Sequence, residues 1–222
     1  MQVYIKALRA TFVGLLAFFA VGLFSTAADA QERQHDRILF LTPVPADSSD
    51  AMWVHEMAER LRNRAQNKFR NNWQVVEWAA IRDLLIGSGF DSMTIVGADM
   101  AGNFATPLQA DAYVYGEMYR DGGTPITTFR MVDIRRTGLS GWLTVQGQPG
   151  DPPRTFADRV VDSLENQERV ARYAKECNMR RDRSEFRRAR QAAERAFEMY
   201  PNHPPTAQCM NYVFQGMQAP ED

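Results

Sequence analysis

His55, Glu56 and Glu59 are the first residues in the chain whose types and spacing suggest chemistry, because histidine followed by glutamate on a helix begins the zinc-protease pattern H-E-x-x-H. The pattern stops short. The position four residues after His55 holds Glu59 instead of a second histidine, and no third ligand follows, so the set lacks the three protein ligands that a catalytic zinc needs. Gly87-Ser88-Gly89 sets a serine between glycines, but its surroundings fit neither a nucleophile elbow nor a phosphate loop, and it serves as a helix stop. Glu56 and Glu59 lie on a polar helix face, without the burial that tunes a carboxylate for acid or base work. No catalytic residue, metal ligand or cofactor site is expected, and the chain is expected not to be an enzyme.

What remains is recognition. Tyr113, Tyr115 and Tyr119 alternate with Ala112, Val114 and Met118, so in a strand the tyrosines share one face and the apolar residues the other. Tyrosine joins apolar area to a polar tip and is favoured at interfaces, and the alternative reading is core packing, since both faces of the strand carry apolar bulk. A second candidate is the arginine-rich stretch that includes Arg187 and Arg188: residues 170–203 hold nine basic and five acidic side chains. Its functional reading is a docking surface for an acidic partner or for phospholipid head groups, although the interspersed acids favour a solvated helix face. Met210 and Phe214, on the last helix, need cover and form a third candidate, with Tyr212 and Val213 pointing elsewhere.

The elements that position these residues follow from local pattern. Residues 111–147 form three β-rich runs separated by Asp121-Gly122-Gly123 and by Thr137-Gly138, the signature of a three-stranded antiparallel meander. Upstream, Ile38 to Leu41 is a continuous apolar run stopped by Pro43 and Pro45, which predicts a buried strand. Asp47, Ser48 and Ser49 offer caps for a helix over residues 50–68. In it Val54, Ala58, Leu61 and Ala65 make an apolar stripe widened by Trp53 and Met57, while Glu56, Glu59, Arg60, Arg62 and Arg64 fill the other face. A short strand at residues 73–77 and helices at 79–86 and 94–105 come next, the last weakened by Gly97, Gly102 and Asn103. After a proline-rich break at residues 149–153, Phe156, Val160 and Leu164 mark one more helix. The order β-α-β-α-α-β-β-β-α predicts an α/β (α+β) fold: a mixed sheet ending in the meander, with helices mainly on one face, followed by a short α-helical tail.

Residues 1–30 stand apart. Lys6 and Arg9 precede an apolar run at residues 11–24, and Ala28-Asp29-Ala30 provides a small-x-small cleavage site before Gln31. The run is shorter than the roughly 20 residues of a spanning helix. It therefore predicts a cleaved signal peptide, a periplasmic or secreted product and no stable membrane span after cleavage. The mature chain is expected to divide into an α/β domain at residues 31–168 and a helical tail at 169–222. Of 222 residues, 26 are basic and 27 acidic, and no stretch combines sustained basic charge with interleaved aromatics, so nucleic acid is not an expected partner. The two cysteines, Cys177 and Cys209, suit one bridge in an oxidising compartment, provided their Cα atoms come within about 7 Å.

Two resemblances extend this reading. The succession ILFLTPV, long amphipathic helix, WQVVE, AIRDLLIGSGF, LQADAYVYGEMY and FRMVDIRRTGLSGWLTVQG resembles the amino-terminal α/β domain of TolB and related bacterial envelope proteins over residues 36–167. The stretch EFRRARQAAERAFEMYPNH resembles the second helix of a tetratricopeptide repeat, with Ala189, Ala193, Ala196 and Pro201 at the motif's small and closing positions. Together they imply an exported adaptor or scaffold that binds another envelope protein. The alternative is a periplasmic small-ligand-binding protein, which would need a concave pocket with convergent side chains. About three repeats are needed for independent stability. One and a half are present, so the α/β domain, a second copy of the chain in a homo-oligomer, or a partner must complete the stack.

Overall fold

The computed structural model describes residues 35–218; the expected leader and its cleavage point lie outside the described residues. β1 (Asp36–Phe40) carries the apolar run and pairs in parallel with β3 (Trp73–Val75) on one side and β4 (Ala112–Asp121) on the other. A central parallel strand covered on both faces needs apolar residues throughout, and Ile38, Leu39 and Phe40 are all buried. Pro43 and Pro45 do not end the pairing as expected. The two-residue β2 (Val44–Pro45) resumes it against Glu117 and Met118 of β4, where the N–H that proline lacks is not needed, and the Ala46 N–H donates to the Met118 carbonyl at 2.8 Å.

β4, β5 (Thr124–Asp133) and β6 (Gly141–Gln146) form the antiparallel meander and complete the order β3-β1-β4-β5-β6, with β2 beside β4. Gly122 and Gly123, at φ of 55° and 82°, close the first hairpin between the paired Asp121 and Thr124. The second connection is a longer loop over residues 134–140. The Asp133 carboxylate accepts from the N–H groups of Thr137 and Gly138 at 2.9 and 2.8 Å, folding the chain back on the strand end.

Helices α1 (Ala51–Lys68) and α4 (Pro153–Asp182) lie on the sheet face bearing Ile38, Phe40, Val114, Phe129 and Met131. Their buried stripes are the expected ones: Val54, Met57, Ala58, Leu61 and Ala65 on α1, and Phe156, Val160 and Leu164 on α4. Arg62 departs from expectation, being 4% exposed instead of lying on the solvated face. It falls beside Leu61, toward the strand end, where the Phe40 carbonyl accepts from its Nη1 at 3.0 Å. Two short helices, α2 (Trp78–Gly87) and α3 (Ala98–Ala105), cover the opposite face over Leu39, Leu41, Val76, Tyr113 and Tyr115. Most helical length thus packs on one face.

α4 runs without a break through residues 168–170, so the tail begins on a helix that the sheet already holds. α5 (Phe186–Met199) and α6 (Pro204–Gln218) pack onto it, and Ala189, Ala192, Ala193 and Ala196 are buried where the helices approach closely. A disulfide joins Cys177 to Cys209 with Cα atoms 6.3 Å apart. That bond fixes the rotation of α6 and corrects one expectation. Val213, one turn on from Cys209, is the buried residue; Met210 packs partly, and Phe214 is 46% exposed.

Candidate functional site

The outer side of β5 and β6 is where the sheet's helical cover ends: Arg130, Trp142 and Thr144 are exposed there, whereas Phe129, Met131 and Val145 point inward and are buried. Strand alternation alone puts Tyr115, Glu117 and Tyr119 on the outer side of β4. Pairing then assembles rows across three strands. Tyr115 is opposite Arg130, which is opposite Trp142; Glu117 is opposite Thr128, which is opposite Thr144; Tyr119 is opposite Ile126, which is opposite Gln146. The Arg130 guanidinium sits 5.3 Å from the centre of the Trp142 ring, a cation–π arrangement, and Trp142 is 57% exposed. In the next row the Thr128 and Thr144 hydroxyls share a hydrogen bond at 3.2 Å.

Beside these rows opens a cleft of about 240 Å³ bounded by Val44, Ala98, Tyr115, Glu117, Thr128 and Trp142. Gly116 lets the strands close up beneath it: a Cβ there would meet the Thr128 carbonyl and the Phe129 ring. The surface offers a flat aromatic, a cation, a carboxylate and two hydroxyls. Those groups suit recognition of a peptide or protein surface.

The three tyrosines share a face, as the alternation predicts, but not a role. Tyr113 and Tyr115 stack with ring centres 5.9 Å apart and are half-buried against the α2–α3 cluster. Tyr119 is 46% exposed. Arg187 and Arg188 lie far along the chain on α5, both exposed, with Arg188 paired to Glu185 at 3.2 Å. Met210 and Phe214 belong to α6. The structure thus brings Tyr115 together with Arg130 and Trp142, which the sequence reading did not single out, and sets Tyr119 farther along the same face, opposite Ile126. A tryptophan and an arginine in alternating strands were the available signal, but only register puts them side by side.

His55 and Glu56 each make a contact to a distant part of the chain. His55 Nε2 donates to the Met93 carbonyl at 2.9 Å, and Glu56 pairs with Arg154 at 3.0 Å. Among the described residues no cluster of His, Cys, Asp and Glu has the geometry to hold a metal ion, and no helix is long and apolar enough to cross a membrane.

No family model matches the chain, and no curated protein matches it. Among solved structures it is similar to the PelC dodecamer from Paraburkholderia phytofirmans, at 13% identity and a TM-score of 0.37 over 61% of this chain and 89% of that one. It is also similar to the LpoB C-terminal domain from Salmonella enterica, at 15% identity and a TM-score of 0.37 over 55% and 89% of the two chains. A third is lipoprotein GNA1162 from Neisseria meningitidis, at 17% identity and a TM-score of 0.38 over 60% and 96%. At these scores the functional conclusion rests on this chain's own geometry.

Proposed function

We propose that this protein is an exported, non-enzymatic adaptor of the bacterial cell envelope, and that an extended segment of another envelope protein docks on the outer face of its meander. The observation that carries the reading is the exposed Arg130–Trp142 pair, with half-buried Tyr115 beside it in the same row, on the outer side of β5 and β6. β6 ends the strand order among the described residues, and a strand added beside it would set its side chains against the row. Tryptophan and arginine are the residue types that most often dominate binding energy. The leader-like residues 1–30, the Cys177–Cys209 bridge and the resemblances to TolB and to tetratricopeptide repeats support export and protein binding.

The test is crosslinking in intact cells with mass spectrometry of the captured proteins, comparing the parent chain with Arg130→Ala/Trp142→Ala. Loss of a hot-spot pair predicts a drop of roughly tenfold or more in one specific envelope protein. Ile86→Ala, at a similarly exposed position on α2, is expected to leave that capture unchanged. An identical set of captured proteins from all three would refute the assignment of this face.

A further inference from the structure

Arg62 is a buried cation that forms no ion pair among the described residues, and it lines a second cleft that shares no residue with the first. This cleft has a volume of about 450 Å³, within the roughly 300–1,000 Å³ of small-molecule sites. Met52, Trp53, Trp78, Met93 and Pro153 make its walls apolar. Trp53 is held between the Phe156 ring, at 5.7 Å, and the Arg120 guanidinium, at 4.8 Å. Trp78 opens α2 and meets the His55 ring edge-on at 6.1 Å. The hydrogen bond from His55 Nε2 to the Met93 carbonyl ties the methionine wall to α1. Met52 and Met93 are 72% and 42% exposed, flexible side chains at the mouth.

The polar feature of the cleft is the guanidinium itself. Its Cζ lies 4.8 Å from the centre of the Trp78 ring, Nη1 donates to the Phe40 carbonyl, and Nε is buried with no acceptor. Among the described residues no carboxylate forms an ion pair with it. Glu56 is engaged by Arg154, and Glu59, whose charge does act on Arg62, is exposed at the rim. Burial pulls the Arg62 guanidinium down to about 10, so it remains cationic at neutral pH. A buried charge lacking a partner is destabilising, and a bound anion would offset that cost.

We infer that this cleft binds a small organic carboxylate with an aromatic or aliphatic body, the carboxylate on Arg62 and the body against Trp53, Trp78 and the two methionines. The two tryptophans supply the signal. Titrating the full chain with phenylacetate and with octanoate, each beside its neutral amide, should give saturable tryptophan quenching by at least one acid, roughly tenfold tighter than its amide. Arg62→Gln should abolish that preference. Because a buried variant is open to misfolding, Glu59→Gln is the second arm: removing the competing charge at the rim should tighten the acid severalfold and leave the amide unchanged. Equal affinity for acid and amide, no saturable binding of either acid, or indifference to Glu59→Gln would each overturn the inference.

Discussion

His203 shows how much one side chain can tie together. It is 1% exposed, its Nδ1 shares a hydrogen bond of 2.7 Å with the Thr206 hydroxyl, and its ring lies 5.8 Å from Tyr200. The backbone of Ser140 and Gly138 also hydrogen-bonds to it, which joins the tail to the β5–β6 loop. Burial pushes its imidazole down to about 4, so it is neutral in the folded protein at pH 7. The unfolded chain takes up a proton near 6.5. Between those values the unfolded state binds more protons, so this stabilisation is complete above 6.5 and is lost as pH falls through 4, a contribution of about 1–3 kcal/mol. Burial raises the Asp36 and Glu168 carboxyls, which gives the opposite trend, so a difference measurement is required. Between pH 7 and pH 4.5 the melting temperature of the parent chain should fall further than that of His203→Gln. Matching slopes would remove His203 as the cause.

At the scale of elements, the tail is held by two devices. One is α4, whose first half is buried in the sheet's core through Phe156, Val160 and Leu164 and whose second half carries Cys177. The other is the disulfide, which closes a 32-residue separation around α5 and pins α6 to α4. The α/β part thus supplies support that the short helices α5 and α6 would lack by themselves. Constraining a loop of that length is worth about 3–4 kcal/mol in the chain-entropy account. Cys177→Ser/Cys209→Ser should lose stability of about that size in denaturant titration, with amide exchange rising first in α6 while β1 and β4 stay protected. Uniform loss of protection across sheet and tail would show that the two unfold as one unit.

For the whole molecule the governing questions are compartment and partner. The proposed export predicts an amino terminus at Gln31 in mass spectrometry of the mature protein, since Ala28-Asp29-Ala30 fits a small-x-small cleavage pattern. An intact Met1 form found solely in the cytosol would overturn the export argument. The bridge between Cys177 and Cys209 bears on the same point, because such bonds persist in oxidising compartments. The two clefts described differ in chemistry: a strand face with an exposed tryptophan and arginine, and a pocket with one buried cation.

By itself, the sequence determined what local periodicity can determine. The inward stripe of α1, the meander with its Gly122-Gly123 turn, the alternation of the three tyrosines and the alanine-lined approach in the tail are each set by residues a few positions apart. What only the tertiary structure decided depends on partners distant in the chain. Trp142 meets Arg130 and Tyr115 through the register of three strands, and β2 exists because Glu117 and Met118 offer it an edge. Arg62 leaves the polar face assigned to it because the Phe40 carbonyl and the Trp78 ring lie within its reach. A helical pattern specifies which way a side chain points, but whether water or another element stands there is a property of the assembled layers.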